Sequence, residues 1–148
     1  MSKMKFKIWD KNKKRLLNGT GYSITGDGEV QTFNSRGLPE GTVNNRHLEP
    51  VRFSGKKDIS GRDIYEGFIV ERRGTVPGDE DITGVVILEE CQWWIEDKVH
   101  GRAAPLFSET AEDRIIGNIY EGVLKQTEYL NEKLDEILAI ENESKKDK

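Results

Sequence analysis

The sequence SGKKDISGRDIYEGFIV, residues 54–70, constrains its own shape more tightly than any other stretch of the chain. Asp58 followed by Gly61 has the spacing of a tight turn, in which the carboxylate binds the local backbone and the glycine relieves the exit. Two β-prone residues at 64 and 65 follow, glycine interrupts at 67, and residues 68–70 resume as a buried strand. The same four residues, IYEG, return at 119–122. We therefore predict that the two copies form two edges of one β core.

The composition indicates one domain with a modest core. A chain of 148 residues is usually a single domain, and its hydrophobic content of 34% is low, so the core is small or is completed by self-association. The single cysteine, Cys91, excludes an intramolecular disulfide and fits a reducing compartment. No apolar run approaches the roughly 18 residues of a membrane helix, and the start lacks the apolar middle of a signal peptide. We expect a cytoplasmic protein with no membrane partner.

The charge is distributed unevenly along the chain. Residues 1–62 hold 13 basic and 6 acidic residues, a net charge of +7, whereas residues 63–148 hold 10 basic and 21 acidic residues, a net charge of −11. Such asymmetry can arrange subunits head to tail, or offer a basic face to an acidic partner. Two differently solvated faces of one molecule are the simpler alternative.

The period of the apolar residues predicts antiparallel strands over residues 1–122. Phe6 and Ile8 alternate with lysines, which is the pattern of a half-buried strand, and residues 11–15 read as the polar loop of a first hairpin. The run VVIL at 85–88 predicts a strand covered on both faces, and residues 91–95 return from it with the two tryptophans on opposite faces. The side chains expected in the core are Trp9, Tyr65, Phe68, Ile69 and Tyr120.

Beyond Gly122 the period changes to that of a helix. Apolar positions follow steps of three and four, which predicts an amphipathic helix over residues 123–142, followed by a disordered tail at 143–148. The apolar seam of this helix must be covered, either by the parent sheet or by other copies of the chain. We favour other copies. The predicted oligomer interface contains Trp94, Val123, Leu130, Leu134 and Ile137.

Four segments, taken together, resemble the YopX family of phage and prophage proteins. They are FKIWD at 6–10, SGKKD at 54–58 with Gly61, the first IYEG with its strand, and IGNIYE at 116–121, in the order of the family. The resemblance implies a mainly β protein with a small, barrel-like antiparallel core, encoded by a phage or prophage and present in the bacterial host cytoplasm. Phe68 stands where the family usually has an aspartate, so the resemblance implies no polar role there. The family has no established activity, and no catalytic residue follows from it.

Few side chains are arranged for catalysis. Cys91 falls in an apolar strand beside two tryptophans, which predicts a buried, inert thiol. His47 and His100 fall in loops, and neither has a second histidine or a cysteine at metal-ligand spacing. Glu66 and Glu121 could face each other as an acid/base pair if the IYEG segments are neighbours, although a glutamate before glycine also fits a strand-end cap. We predict no catalytic residue, no metal and no cofactor.

These patterns favour a non-enzymatic phage or prophage accessory protein. We expect it to form a homo-oligomer and to bind another macromolecule, with a host or phage protein favoured. The alternative is a small β-barrel that binds nucleic acid through its basic N-terminal hairpin, although the acidic chain and the scarcity of aromatics among these charges argue against it. The nucleic-acid contacts would be Lys3, Lys5, Lys7, Lys11, Lys13, Lys14 and Arg15.

Overall fold

The computed structural model describes residues 5–123 and 137–138. The chain divides into two compact units, Met1–Phe53 and Ser54–Lys148. The division falls inside one strand, β6 (Leu48–Lys57), which contributes residues 48–53 to the first unit and residues 54–57 to the second. Both units are built from antiparallel strands, which confirms the mainly β architecture predicted from the sequence.

The first unit contains a β1–β2 hairpin and a small three-stranded sheet. β1 pairs with β2 on one side and with the first half of β6 on the other, and β4 lies between β3 and β5. Ile8, Val30 and Leu48 form its core. Its elements are β1 (Phe6–Asp10), β2 (Arg15–Asn18), β3 (Ser23–Ile24), β4 (Val30–Phe33), β5 (Pro39–Gly41), a 3-10 helix (Val43–Asn45) and the start of β6 (Leu48–Lys57).

Trp9 is half-buried and does not lie in the core as we expected. Side chains alternate along β1, so Trp9 shares a face with Lys5 and Lys7, while Ile8 on the opposite face is fully buried.

The second unit is organised around a six-stranded antiparallel sheet in the order β11-β10-β9-β8-β12-β13. This sheet ends at two edge strands, β11 and β13. A core cluster on it contains Ile69, Val85 and Ile116, and Tyr65 and Phe68 are buried as predicted. The six strands of this sheet are β8 (Phe68–Arg73), β9 (Ile82–Glu89), β10 (Gln92–Asp97), β11 (Arg102–Pro105), β12 (Glu112–Asn118) and β13 (Gly122–Val123), and the unit also contains β7 (Asp63–Tyr65), which pairs with β6.

The two IYEG segments lie side by side, whereas their recurrence led us to expect two edges of one β core. The amide of Ile119 donates to the carbonyl of Gly67 at 2.9 Å. Tyr120, half-buried rather than fully in the core, lies against the same glycine: a Cβ added to Gly67 would be 2.7 Å from the Tyr120 ring. The first segment joins β7 to β8, and the second joins β12 to β13. Because β8 and β12 are antiparallel, both copies of the motif lie at the same end of this strand pair.

The predicted boundary between β core and helix falls inside a strand. The Asn118 side chain accepts hydrogen bonds from the amides of Tyr120 and Glu121, at 3.0 and 2.7 Å, and this turn sends the chain back along β12. Val123 consequently pairs with Gly117 in β13 and does not begin a helix. The apolar period of the sequence continued through Val123 and gave no sign of this reversal.

Most of the predicted helix, residues 124–136 and 139–142, lies outside the described residues, as do Leu130, Leu134 and the predicted tail at 143–148. Ile137 and Leu138 have helical backbone, but no complete α-helix occurs among the described residues. Ile137 is 7% exposed and packs in the core cluster of its own sheet. Since that packing already covers the side chain, Ile137 is not available at a subunit surface. The described part of the chain contains no helix long and apolar enough to cross a membrane.

Candidate protein-binding surface

Asp58 builds the turn between β6 and β7. Its side chain is fully buried, and one carboxylate oxygen accepts the amides of Ser60 and Arg62, both at 2.9 Å. The other oxygen accepts the amide of Ile115 in β12 at 3.2 Å. Because the carboxylate binds both the turn and the neighbouring strand, the turn is fastened to the sheet. This is the local capping role that the Asp58–Gly61 spacing predicted.

Ile59 is the apolar tip of this turn. Its amide donates to the carbonyl of Asp113 at 2.8 Å, which fixes the backbone, while the residue remains 60% exposed. Charged side chains from β8 and β12 border it in an open cleft of about 170 Å³. Across these strands Arg114 donates to Glu71 at 3.1 Å. An apolar side chain bordered by charges of both signs has the composition of a protein-contact centre and its polar rim.

A buried ion network lies beneath the turn. Arg72 of β8 binds the Asp113 carboxylate of β12 through two nitrogens, at 2.7 and 3.0 Å. Lys56 of β6 binds the same carboxylate at 2.7 Å. The Asp113 side chain is fully buried and that of Arg72 is 5% exposed. Two cations around one carboxylate leave excess positive charge, which buried sites accommodate only with further hydrogen-bond acceptors.

Two backbone carbonyls supply those acceptors, one from the last residue of β11 and one from the residue that follows it. Arg72 donates to the carbonyl of Pro105 at 2.7 Å and also to that of Leu106, and Lys56 donates to Leu106 at 2.9 Å. The segment that follows β11 is thereby held against β6 and β8. Phe107, the next residue, is 56% exposed, and its ring lies near Gly55, with 3.9 Å between the ring and a Cβ added to that glycine. The network thus positions a second exposed apolar side chain.

We call Ile59 and Phe107 the turn surface. The backbone carbonyl of Asp113 accepts the amide of Ile59. Its carboxylate binds Arg72 and Lys56, and both of these cations also donate to the carbonyl of Leu106, the residue before Phe107. The two apolar side chains therefore stand on backbone segments joined by one buried network. Sequence reasoning found Asp58 but missed Lys56, Arg72 and Asp113 as a set, because Arg72 and Asp113 are 41 positions apart and no local spacing connects them.

The expectation of a buried thiol at Cys91 is wrong. Cys91 is exposed, and it forms with Glu90 a two-residue turn in which both residues have positive φ, 64° and 52°. β10 begins one residue later, so Cys91 is not a strand residue. The predicted interface residue Trp94 is half-buried in β10, and its ring nitrogen donates to the carbonyl of Glu89 at 3.3 Å. Its place at a subunit contact stays a prediction.

His100 is bonded to a buried carboxylate. Its Nδ1 lies 2.8 Å from Asp97, and its amide donates to the same side chain at 3.2 Å. Arg102 lies 3.4 Å from this carboxylate, which therefore closes the turn between β10 and β11. The histidine lines an open cleft of about 240 Å³. Its arrangement is that of a hairpin cap, with the acid three residues before it.

The remaining residues considered for catalysis occupy separate settings. His47 is half-buried, and its carbonyl accepts the amide of Lys11 at 2.9 Å. Glu66 is half-buried and Glu121 is exposed, each within its IYEG segment.

The basic hairpin carries four adjacent exposed cations. Lys11, Lys13, Lys14 and Arg15 occupy the β1–β2 loop and the start of β2. Lys11 binds Glu49 at 2.6 Å, and Lys5 lies over the ring of Phe53, 5.2 Å from its centroid. Lys7 is half-buried on β1, and Lys3 lies outside the described residues. The structure thus brings most of the proposed nucleic-acid contacts onto one hairpin.

The protein is therefore an antiparallel β protein in two units. Its second unit displays Ile59 and Phe107 on backbone segments that a buried ion network joins. The chain belongs to the YopX family, since the family model described as YopX protein matches residues 5–124. It is similar to the crystal structure of protein yopX from Bacillus subtilis, with 17% sequence identity and a TM-score of 0.56. That similarity covers 84% of this chain and 100% of the other, and it shows a shared fold. The comparison with curated proteins found no match.

Proposed function

We propose that this chain is a non-enzymatic accessory protein of a phage or prophage, which forms homo-oligomers in the host cytoplasm and acts by binding a host or phage protein. One observation carries the proposal: Ile59 and Phe107 are held exposed on backbone segments tied to one buried ion network. Full burial of a side chain of this size contributes about 1.5–3 kcal/mol, and covering the exposed part of Ile59 or Phe107 contributes roughly half of that. A partner that covers both residues gains this free energy of burial. It does not have to immobilise their backbone segments on binding, because the ion network already holds them.

The proposed oligomer interface contains fewer C-terminal residues than the sequence predicted. We retain the amphipathic helix over 124–142 as part of the proposed assembly, together with a barrel-like closure of the core. Ile137 is withdrawn from the interface because it packs in its own core. Trp94, Leu130 and Leu134 stay in it.

Light scattering of the full chain tests the proposal. We expect the wild type to give a multiple of the 16.9 kDa chain mass, and Ile59→Asp/Phe107→Asp to lower that mass. Val76→Asp is the matched control, because Val76 is also an exposed apolar residue of the second unit, at 45% exposure, but lies outside the turn surface. A wild type that has a mass of 16.9 kDa at every concentration would refute the proposed oligomer. An oligomer whose mass is the same in the wild type and in both variants would show that the turn surface is not part of the interface.

Binding of nucleic acid is a second candidate, favoured by the four exposed cations of the basic hairpin. Phosphate contacts are strong near about 50 mM salt and weaken steeply above it. The test is a salt titration of single-stranded and double-stranded oligonucleotides with the wild type and with Lys13→Glu/Lys14→Glu. Binding that the double variant loses supports this candidate, and no binding of the wild type at about 50 mM salt eliminates it.

A further inference from the structure

The positive charge of the first unit is concentrated in its first hairpin. Residues 5–18 hold six basic residues and one acidic residue, a net charge of +5, whereas residues 19–53 hold three basic and four acidic residues. The acid of the hairpin, Asp10, is buried, and its carboxylate accepts the amides of Asn12 and Lys13, at 3.0 and 3.1 Å. It closes the hairpin loop from inside, and the cations of the loop remain on the outside. A local excess of positive charge is the electrostatic signature of a surface that binds a polyanion.

Two aromatic rings lie on the same sheet face as the lysines at the start of this hairpin. Because side chains alternate along a strand, Lys5, Lys7 and Trp9 project from one face of β1. Phe53 lies opposite Lys5 on the neighbouring strand β6: its amide donates to the Lys5 carbonyl at 3.2 Å, and the Lys5 ammonium lies 5.2 Å from the centre of its ring. Leu16 of β2 lies opposite Trp9 on the other side. We call these five residues the lysine–aromatic face.

The five side chains form one continuous patch, because they occupy neighbouring positions on three paired strands. Residues two apart on a strand are separated by about 7 Å, and residues opposite each other on paired strands by about 5 Å. Lys5 is exposed, and the other four residues are half-buried. Glu49 borders the patch opposite Trp9, and its carboxylate binds Lys11 at 2.6 Å. The patch therefore presents partly exposed rings with cations beside them.

Aromatic rings favour a single strand over a duplex. Cations alone bind the phosphates of either, and they bind a duplex more strongly because its charge density is higher. Rings stack on bases, which a single strand offers and a duplex keeps stacked within itself. The width of the face favours a single strand as well. Since β1 lies between β2 and β6, the face is three strands wide, whereas the major groove of B-DNA admits a two-stranded ribbon.

We propose that the lysine–aromatic face binds single-stranded nucleic acid, with bases stacked on Trp9 and Phe53 and phosphates bound by the lysines around them. The inference rests on the second candidate function, and it names the class of nucleic acid and the side chains that select it. Lys5 rests on the Phe53 ring in the unbound protein. A base that stacks on this ring takes the place of the ammonium, which then binds the adjacent phosphate.

Binding of labelled oligonucleotides at about 50 mM salt tests the inference. The single strands are oligo(dT) and oligo(rU) of roughly 12 nucleotides, and the comparison is a DNA duplex of the same length. We expect the wild type to bind a single strand at least about tenfold more tightly than the duplex. Trp9→Leu removes the ring but keeps an apolar side chain, and it should weaken single-strand binding by about 5- to 100-fold. Trp93→Leu is the matched control, since Trp93 is also half-buried but lies on β10 of the second unit.

Tryptophan fluorescence provides a second measurement, which does not require that Trp9→Leu folds. Oligo(dT) should quench the fluorescence of the wild type and of Trp93→Leu, because a stacked base contacts the Trp9 indole. It should quench Trp9→Phe much less. Trp9→Phe should nevertheless lose less affinity than Trp9→Leu, because its ring still stacks on a base.

The outcomes separate the inference from the second candidate function. Tighter binding of a single strand, lost in Trp9→Leu and kept in Trp93→Leu, supports the inference, and a preference for oligo(dT) or oligo(rU) assigns the sugar that the face accepts. A duplex bound as tightly as the single strands, or equal quenching in the wild type and Trp9→Phe, overturns the inference and leaves nucleic-acid binding through the cations standing. No binding of any of the three oligonucleotides at about 50 mM salt overturns both.

Discussion

At the scale of single residues, Gly67 is constrained both by its left-handed backbone and by a neighbouring side chain. Its φ is +81°, and an added Cβ would lie 2.7 Å from the Tyr120 ring. We expect Gly67→Ala to lower the free energy of unfolding by about 2–4 kcal/mol, from left-handed backbone strain together with the overlap. Urea unfolding followed by tryptophan fluorescence measures the loss.

A second glycine separates the two causes. Gly61 has nearly the same φ, +83°, but a Cβ added there meets nothing within 4 Å. Gly61→Ala should therefore cost only the strain, about 1 kcal/mol. Equal losses at the two glycines would contradict the close packing of the IYEG segments.

Tyr65 gives the stability a defined dependence on alkaline pH. Burial, followed by the negative charge of Asp63, raises the pKa of Tyr65 above its ordinary value of 10.0. The unfolded chain therefore loses this proton first, so the contribution of Tyr65 is fully present below about pH 10 and is lost as the pH rises through the higher folded pKa. Tyr65→Phe should flatten the decline in the free energy of unfolding above about pH 10. Wild-type and variant curves that run parallel from pH 7 to 11 would show that Tyr65 does not contribute.

At the scale of elements, the buried network joins strands that are distant in sequence. Asp113→Asn keeps the shape of the side chain but leaves Arg72 and Lys56 without a counter-charge, and Arg72 is almost completely buried. We expect a loss of about 3–5 kcal/mol in the free energy of unfolding. The neighbouring Glu112 is exposed on the same strand, so Glu112→Gln should change stability by less than about 0.5 kcal/mol. Similar losses in the two variants would remove the network as a stabilising element.

The turn between β9 and β10 stores strain that can be relieved. Glu90 and Cys91 both have positive φ, and turns of this type prefer Asn-Gly. Glu90→Asn/Cys91→Gly should raise the free energy of unfolding by about 1–2 kcal/mol, since each original residue is strained in the left-handed region. The single change Cys91→Ser controls for loss of the thiol and should leave stability near that of the wild type. A double variant no more stable than Cys91→Ser would contradict the assigned turn.

The sequence predicted what short-range patterns encode. Alternation located β1, and the Asp58–Gly61 spacing located the turn that displays Ile59. The ion network had no such signal, because its charges meet only when β6, β8 and β12 are assembled. Cys91 was misplaced because neither it nor Glu90 is a residue that turns of this kind usually carry. Val123 was misplaced because a strand of two residues leaves no periodicity to read.

At the scale of the whole molecule, the two units differ in charge more than the chain total of −4 suggests. The first unit carries ten basic and five acidic residues and the second 13 and 22. Opposite net charges on two units of one chain produce attraction between copies, and salt screens such attraction over a Debye length of about 10 Å at 0.1 M. Apolar contacts respond to salt in the opposite direction or not at all. Salt therefore separates the charge contribution to the proposed self-association from the apolar one.

We expect self-association to weaken about tenfold in affinity between roughly 0.05 and 0.5 M NaCl, as measured by sedimentation velocity. Lys13→Gln/Lys14→Gln provides the internal comparison: both lysines are exposed on the basic hairpin, and their loss lowers the net charge of the first unit from +5 to +3. The variant should associate more weakly at low salt and show a shallower salt dependence, converging with the wild type at high salt where only apolar contacts remain. Identical salt curves for the two proteins would mean that the charge of the basic hairpin does not contribute to self-association, and the head-to-tail arrangement would lose its electrostatic basis.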